Sequence, residues 1–522
     1  IWHILAPLAL ALLTRCWRGQ SVSLVGRASL VLAVMCAAAP LTILVVIAVI
    51  VAAVVRRSWR WLWISVPALA LMAPSFAAAM GIGGSAPWRF LFAVPGVGLD
   101  TQPSTLGILT LSPTQYAEGL GSLDTGGRIA AAGILAVAVV GVLALFRAHR
   151  SAWIRWGWVG IAAGYAWALA DSSLATGVST DGGTLTPVNT WAGIALSCAA
   201  LGIWTVLVNA GDGMRAKVRE YPFGLRQLGA GIILLGALGG ILAPAGVWAV
   251  NNTRHGTLTV APETVPAIAQ TGQQSDARSR VLWLSPSSQG IQAQVLRGDG
   301  VQLHEASMLS SVHNVEAMDS SGSVGASGLT DAREDLAEAI ADINGSGERA
   351  AAIFGEHAIA MVVVPLDTDN PARAALVGEL SSLGGLQYVT ENSIGAFWRV
   401  TTTADVGPTA VSRLRIVQPT GEDDVALPSG HIGARLPVDQ GAEGRLLVLA
   451  ERADSGWRAT LNGEPLDTAT LGWRQAWELP SSGGELVIGH GPSVPWPGLV
   501  QVAVIGIAII IALPLRRKRY ES

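Results

Sequence analysis

Residues 228–252 read LGAGIILLGALGGILAPAGVWAVNN, an apolar stretch at which the character of the chain changes. A basic loop, Arg215–Arg226, precedes it, and the long polar region 251–493 follows it. A helix needs about 20 mainly apolar residues to cross the hydrocarbon core of a bilayer. The stretch therefore predicts the last outward crossing of a membrane bundle, at the point where the bundle joins a folded region on the far side.

The overall composition is that of an integral membrane protein with a polar portion. Only 14% of the 522 residues are charged, and the formal net charge is −3. The mean hydropathy of +0.45 is too high for a soluble globular protein. No basic stripe or nucleic-acid reader motif occurs, so no nucleic-acid partner is expected. The three cysteines, Cys16, Cys36 and Cys198, lie in or beside apolar segments, so the polar region holds together without disulfides.

The apolar segments predict an α-helical polytopic membrane bundle of about seven spans, six of them within residues 1–250. The chain opens at Ile1 with no charged region before the apolar sequence, so we expect it to begin within a longer protein rather than with a signal peptide. The predicted spans are Ala28–Val55, Trp61–Met80, Ile129–Phe146, Trp153–Leu169, Trp191–Val208, Leu228–Asn252 and Pro495–Leu515.

Residues 28–55 are longer than one span requires. We interpret them as one tilted helix kinked at Pro40, because two spans would need about 35 or more residues. A hairpin of two helices stays open as the alternative, since a single helix places Arg15 and Arg18 on the outer side. The long outer loop 81–127 has apolar parts that are too short to span, which predicts re-entrant or interfacial helices.

Basic clusters indicate the sidedness of the bundle. Positively charged residues beside spans favour the cytoplasmic side. Under strict alternation every cluster from Arg56 onward falls on one side, which predicts a multi-pass plasma-membrane protein. Residues 251–493 are then extracytoplasmic, and the tail 516–522 after the final transmembrane helix 494–515 is cytoplasmic. The clusters are Arg56–Arg60, Arg147–Arg150, Arg215–Arg226 and Arg516–Arg519.

The extracytoplasmic region predicts a linker, 251–278, and two modules. Residues 279–400 alternate strand and helix signals, with the amphipathic helix Asp331–Asn344 and the apolar strand Ala358–Pro365, which is typical of an α/β module. Residues 411–491 contain short strand signals separated by turns, which predicts a β-sandwich.

The polar region offers few patterns that carry chemistry. Asp367-Thr368-Asp369 is a D-x-D pattern after a buried strand, but nucleotide sugars are cytoplasmic, so a polar loop is the favoured interpretation. The histidines and cysteines lack ligand spacing, so no metal is expected, and nothing predicts a cofactor within these residues.

The outer end of the bundle carries the candidate binding residues. Trp88, Arg89 and Asp100 could form an aromatic, charged surface at headgroup level, which suits lipid-linked sugars because rings stack and Arg pairs with phosphate. Interfacial anchoring explains Trp88 and Arg89 as well. Asp171 ends a predicted span, and an anchoring role is favoured over a functional one because it can reach the interface.

Several stretches resemble the membrane region of large actinobacterial glycosyltransferases, in which a cytoplasmic family-2 catalytic domain precedes a multi-span bundle. The resemblance covers most of the chain but includes no catalytic signature. The β module is also similar to the terminal β-sandwich of YfhO-type membrane glycosyltransferases. The stretches are Trp2-His3, Ala6-Pro7, Pro40-Leu41, Ser85–Arg89, Val94–Val97, Val362–Val364, Gly384–Leu386, Ala396–Val400, Leu446–Leu466 and Trp473–Leu479.

The resemblance implies the membrane part of a cell-envelope glycosyltransferase. This part would anchor the enzyme and handle a lipid-linked or growing glycan, and sugar transfer would occur in a catalytic domain outside these residues. Two alternatives stay open. One is a polyprenyl-phosphate-sugar-dependent transferase with an extracytoplasmic site and Asp100 or Asp171 as base. The other is a non-enzymatic scaffold or sensor that binds envelope glycan.

Overall fold

The computed structural model describes most of the chain. It covers residues 2–94, 105–111, 125–146, 151–212, 265–298, 332–343, 349–401, 410–491 and 496–513, except 20, 110, 182–183, 288–289, 368–369 and 420–422. Within 224–249 and 307–315 it describes scattered residues. The fold is a helical N-terminal region followed by β-sheets, which confirms the expected fold class in its coarse form.

In its described residues, the N-terminal region consists of helices and a β-hairpin. Its strands are β1 (Ala175–Asp181) and β2 (Thr184–Asn189). Its helices are α1 (Trp2–Arg18), α2 (Val22–Ala38), α3 (Ile43–Val55), α4 (Trp59–Ile82), α5 (Ala86–Phe92), α6 (Thr105–Leu109), α7 (Thr125–Ala144), α8 (Ser151–Ser173) and α9 (Gly193–Gly211).

The stretch 28–55 is two helices rather than one kinked helix. A 3₁₀ turn, Pro40–Thr42, separates α2 from α3, because Pro40 has no N–H to continue the α2 hydrogen-bond ladder. At one end of the bundle, Arg56 donates to the carbonyl of Trp17 at 3.1 Å. At the other end, Trp2 Nε1 donates to Thr42 Oγ1 at 2.9 Å. The first four helices therefore alternate in direction.

This arrangement distinguishes two ends of the bundle. The basic end carries the exposed arginines at the termini of α1, α3 and α4, so Arg15 and Arg18 lie at the same end as the later cluster. The five residues that define it are Arg15, Arg18, Arg56, Arg57 and Arg60. The opposite, capped end is covered by α5 and the β1–β2 hairpin.

Two helices of the described residues are long and apolar enough to cross a membrane, Trp59–Ile82 and Gly193–Gly211. The expected count of about seven spans is therefore not shown. One physical reason is that the turn at Pro40–Thr42 leaves two shorter helices where one long span was predicted. The shorter apolar helices are Val22–Ala38, Pro40–Val55, Ala131–Ala144 and Trp496–Ala512.

Glycines allow close approach between α8 and α9. A β-carbon on Gly202 would lie 2.6 Å from the backbone nitrogen of Ile161 and 2.7 Å from the carbonyl oxygen of Gly157. A β-carbon on Gly164 would lie 2.3 Å from the nitrogen of Ala199. Small residues at such positions let backbones pack directly, as in membrane helix pairs.

The stretch 228–252 is helical at every residue that the structure describes between 231 and 249. Gly240 lies against α7, because its β-carbon would meet the Gly133 carbonyl oxygen at 2.5 Å and the Val137 side chain. The absence of a side chain at Gly240 therefore lets this helix pack closely on α7. The other residues of the stretch lie outside the described part of the chain.

The α/β module is a five-stranded mixed sheet with helices on both faces. The strand order is β4-β3-β5-β7-β6, with β3 and β5 parallel and the other pairs antiparallel. The strands are β3 (Arg280–Ser287), β4 (Gly290–Leu296), β5 (Ile359–Pro365), β6 (Leu386–Glu391) and β7 (Gly395–Val400). The helices are α10 (Ala267–Gln274), α11 (Ala332–Ile343), α12 (Ala350–Glu356) and α13 (Pro371–Ser382).

Alternating side chains of the central strands explain the two-sided core. Val362 and Val364 face α11, α12 and α13, whereas Met361 and Val363 face α10. Because α10 contributes the buried Ala269 to this second face, the module extends into residues that the sequence predicts as linker.

The β-sandwich module consists of two antiparallel sheets that share a core. Their strand orders are β10-β16-β12-β13 and β14-β15-β11-β8-β9, and buried residues of both, including Trp477 and Leu486, meet between them. The strands are β8 (Leu414–Val417), β9 (Val425–Leu427), β10 (Ala434–Val438), β11 (Arg445–Arg452), β12 (Trp457–Leu461), β13 (Glu464–Pro465), β14 (Thr468–Leu471), β15 (Arg474–Leu479) and β16 (Gly484–His490).

The C-terminal helix α14 (Trp496–Ala512) returns from the β-sandwich to the bundle and packs on α2 and α4. Arg27 Nε donates to the Ala512 carbonyl oxygen at 3.3 Å, and Gln501 Nε2 donates to that of Ala70 at 3.1 Å. Because Arg27 lies in the early turns of α2, the end of α14 lies near the basic end of the bundle.

Candidate functional site

The capped end of the bundle contains a β-hairpin between α8 and α9. Strands β1 and β2 pair antiparallel from Ala175–Asn189 to Asp181–Thr184. Asn189 Nδ2 ties the hairpin to α8 by donating to the Ser172 carbonyl oxygen at 2.8 Å. The sequence does contain a signal for this hairpin, because the turn residues Asp181-Gly182-Gly183 separate two runs rich in Thr and Val.

Arg89 fastens this hairpin to the bundle. Arg89 is only 3% exposed, and its Nη1 donates to the carbonyl oxygen of Ala175 at 2.7 Å. Its Nε donates to Ser85 Oγ at 3.0 Å, across one turn of α5. A buried guanidinium is stabilised when such acceptors surround it. The observed role of Arg89 is therefore a structural tether between α5 and β1.

Trp88 stays at the surface beside this tether. It is 39% exposed, and the Arg89 guanidinium carbon lies 4.5 Å from the centroid of its ring. The cation therefore lies within the distance at which a ring face attracts it. The exposed part of the indole suits a lipid headgroup or a sugar ring alike, so the binding role assigned to Trp88 stays a prediction.

Asp171 lies inside the capped end and is 1% exposed. Its Oδ1 accepts a hydrogen bond from Trp167 Nε1 at 3.2 Å, and the Trp167 ring meets the Trp2 ring edge-on at 6.1 Å. This position fits a packing role better than a base that is open to substrate. Asp100 lies outside the described residues, so the candidate residues are not brought together as one described surface.

The α/β module rests on the capped end. The hairpin lies against β4 and α11 of the module. Apolar residues of the segment 307–315 reach into the bundle, since Val312 packs in the same core as Phe90 and Val315 packs against Ala86. The capped end and the module therefore lie on one side of the bundle, opposite the basic end.

A charged junction joins the two C-terminal modules around Glu451. Arg280 of the α/β module lies 2.7 Å from Glu451 Oε1, and Arg413 of the β-sandwich lies 2.9 Å from the same oxygen. Arg297 lies 3.3 Å from Oε2. Arg280 also donates to the Ala450 carbonyl oxygen at 2.6 Å, so both charge and backbone bonds cross the junction.

The charge balance of this junction keeps Glu451 ionised. Burial alone would raise the pKa of Glu451, but Arg280, Arg297 and Arg413 outweigh it and lower the pKa to about 2. Burial lowers the pKa of Arg280 to about 10, which still leaves its guanidinium charged at neutral pH. We name Arg280, Arg413 and Glu451 the Glu451 junction.

A second set of contacts crosses the same interface. Trp473 Nε1 donates to Asp335 Oδ2 at 2.9 Å, and His357 Nε2 lies 3.2 Å from that oxygen. The rings of His357 and Trp473 stack at 4.4 Å. Burial lowers the pKa of His357, so the neutral imidazole donates its N–H to Asp335 at neutral pH. Arg474 and Glu356 add an ion pair at 3.0 Å.

Sequence reasoning missed this junction. Arg280 begins β3, Arg413 precedes β8 and Glu451 lies near the end of β11. Charged residues at strand ends are ordinarily solvated, so no local signal marks them. Their pairing depends on how two modules meet. As for the D-x-D pattern, Asp367 follows β5 in an exposed loop and Asp369 lies outside the described residues. No metal-binding group of three His, Cys, Asp or Glu occurs within the described part of the chain.

Loss of the Arg89 tether should loosen the hairpin. In Arg89→Met, the bonds to Ala175 and Ser85 are lost, and each bond to a charged group contributes about 1.5–3 kcal/mol. We expect amide hydrogens of β1 and β2 to exchange with deuterium at least about tenfold faster, as measured by mass spectrometry on the full chain. Arg128→Met, at an exposed position, is the control. Unchanged exchange in Arg89→Met would contradict the tether.

The arrangement offers two modules joined by ion pairs and hydrogen bonds and seated on a capped helical bundle, with Trp88 exposed near the hairpin. No protein-family model, curated protein or solved structure matches this chain.

Proposed function

We propose that this chain is the membrane and extracytoplasmic part of a cell-envelope glycosyltransferase. It anchors the enzyme in the bilayer and holds a rigid two-module unit over the outer surface, where it handles a lipid-linked or growing glycan. Sugar transfer takes place in a family-2 catalytic domain that these residues do not contain. The resemblance of the outer loop and of both modules to actinobacterial glycosyltransferases supports this assignment.

The proposal includes a multi-pass plasma-membrane placement with residues 251–493 outside. The separation of the two ends supports it, because the arginines of the basic end favour the cytoplasmic side. The capped end and the α/β module lie at the opposite end, where the β1–β2 hairpin contacts β4 and α11. The return of α14 toward the basic end supports a cytoplasmic C-terminus.

The observation that carries the proposal is the fixed seating of the two-module unit on the bundle. A protein that only anchored a remote domain would need no contacts between them. Here the hairpin contacts β4, and Arg89 fastens the hairpin to α5. The Glu451 junction then sets the angle between the modules. A fixed surface just above the bilayer is what positioning of a membrane-linked polymer requires.

Deletion of the gene in the organism that encodes it tests the proposal. We expect the linkage composition of the envelope glycan to change, and isolated membranes to lose a sugar-transfer activity that the wild-type gene restores. Complementation with Glu451→Ala should restore the glycan composition and the sugar-transfer activity only in part. Glu485→Ala, at an exposed ion pair, should restore both of these readouts.

Two outcomes would contradict the proposal. Unchanged envelope glycan after deletion would exclude a role in glycan assembly. Changed glycan with full sugar-transfer activity in isolated membranes would instead favour the non-enzymatic scaffold.

A further inference from the structure

The basic end of the bundle concentrates positive charge on helices that carry no carboxylate of their own. Residues 1–94 contain no Asp or Glu. The ends of α1 and α3 and the start of α4 bring together five exposed arginines. Among the residues that the structure describes, none of these five forms an ion pair with a carboxylate.

Arg56 is held in place by an aromatic contact. Its guanidinium carbon lies 3.5 Å from the centroid of the Trp17 ring, and its Nη1 donates to the Trp17 carbonyl oxygen. The Trp17 ring in turn meets the Trp61 ring at 5.3 Å. A guanidinium fixed in this way loses less conformational entropy when it binds an anion, while its other N–H groups can still donate.

The turn between α3 and α4 presents further arginines. Arg57 adopts a φ of 53°, in the left-handed region, which forms the tight turn between the two helices. Arg60 follows in the first turn of α4 and is exposed. Helix C-terminal dipoles explain one cation at the end of α1 and one at the end of α3, but not Arg60, which lies near a helix N-terminus where a cation is disfavoured.

Exposed indole rings lie beside these arginines. Trp17 is 50% exposed and Trp59 is 81% exposed. Indoles prefer the headgroup region of a bilayer, because the ring is apolar and its N–H is polar. Guanidiniums at the same depth reach phosphate groups, and each basic residue near an anionic leaflet contributes to binding.

We propose that the basic end binds the headgroup phosphate of an anionic phospholipid, with Arg57, Arg60 and Arg18 as donors beside the fixed Arg56. Charge complementarity selects an anionic over a zwitterionic lipid, since α1, α3 and α4, which supply the arginines, contain no carboxylate that would attract a choline group. This inference rests on the membrane placement in the proposed function and goes beyond it by naming a lipid class.

Native mass spectrometry of the full chain tests the lipid preference. The protein is released from nanodiscs made of equal parts phosphatidylglycerol and phosphatidylcholine. We expect retained phosphatidylglycerol to exceed phosphatidylcholine by about tenfold or more, and the excess to fall by about tenfold in Arg57→Gln/Arg60→Gln. The control Arg128→Gln/Arg435→Gln removes the same charge at exposed positions elsewhere and should keep the preference.

Equal retention of the two lipids by the wild-type protein would overturn the inference, as would an unchanged preference in Arg57→Gln/Arg60→Gln. Size-exclusion profiles and tryptophan-fluorescence melting of both variants verify folding. The measurement involves no glycan, so its failure leaves the proposed glycan role standing. Unchanged envelope glycan in the deletion strain would likewise leave a measured lipid preference standing.

Discussion

Replacing Glu451 by alanine is expected to lower the free energy of unfolding of the two-module unit by about 3–5 kcal/mol, because it leaves buried guanidiniums without their counter-charge. Arg280 is 5% exposed and Arg413 is 6% exposed, so neither can turn to water without moving backbone. Tryptophan-fluorescence denaturation of the full chain in nanodiscs measures the loss, since Trp473 and Trp477 report on the β-sandwich.

The matched control is Glu485→Ala. Glu485 pairs with Arg435 at 3.6 Å, and both side chains are more than half exposed, at 61% and 73%. Such a pair contributes only about 0–1 kcal/mol, so the variant should melt close to the wild-type temperature. Equal losses in the two variants would contradict the account of the Glu451 junction.

The same residue sets a pH dependence with a defined sign. The pKa of Glu451 is lowered from 4.5 to about 2, so its contribution to stability is complete above the unfolded pKa. It is lost as the pH falls through the folded value, because the unfolded chain then binds a proton more readily. Denaturation between about pH 5 and pH 2 should therefore show a steeper loss in the wild-type protein than in Glu451→Gln.

Replacing Gly202 by valine is the second change with a large expected effect. A β-carbon at position 202 would lie 2.6 Å from the backbone nitrogen of Ile161. The two backbones cannot make room for it without separating α8 from α9. We expect the free energy of unfolding to fall by about 3 kcal/mol, which is at the upper end of the usual range for overpacking. The fraction of monodisperse protein after heating in detergent measures it.

Gly506→Val provides the control, because a β-carbon at Gly506 of α14 meets no atom within 4 Å. A glycine that serves only to lower helix rigidity would give similar results at both positions. Similar melting of Gly202→Val and Gly506→Val would thus contradict the close packing of α8 on α9.

Some elements of the two modules were predictable because they carry a local signal. The run Ala358–Pro365 is continuously apolar, and it forms β5, Ile359–Pro365, at the centre of its sheet. The amphipathic pattern of Asp331–Asn344 gives α11, Ala332–Ile343, within one residue at each end. In both cases the side-chain period agrees with the burial that the fold imposes.

What the sequence did not predict depends on long-range contacts. Pro40 and an apolar run are compatible with a kink or a break, and the contacts of Arg56 with Trp17 and of Trp2 with Thr42 show that the chain reverses. Similarly, Arg89 has the residue type of a phosphate ligand, but its acceptors, Ala175 and Ser85, lie on separate elements. The pairing of Glu451 with Arg280 joins residues in different modules, so no local pattern reveals it.

The central claim is that the two-module unit and the basic end lie on opposite sides of the membrane. Labelling of single cysteines in intact cells by a membrane-impermeant maleimide tests it most directly. The background replaces Cys16, Cys36 and Cys198 by alanine, and the probes are Ala442→Cys in the β-sandwich and Arg60→Cys at the basic end, both at exposed positions. We predict labelling of Ala442→Cys in intact cells and of Arg60→Cys only after lysis. Labelling of both in intact cells, or of Arg60→Cys alone, would contradict the account.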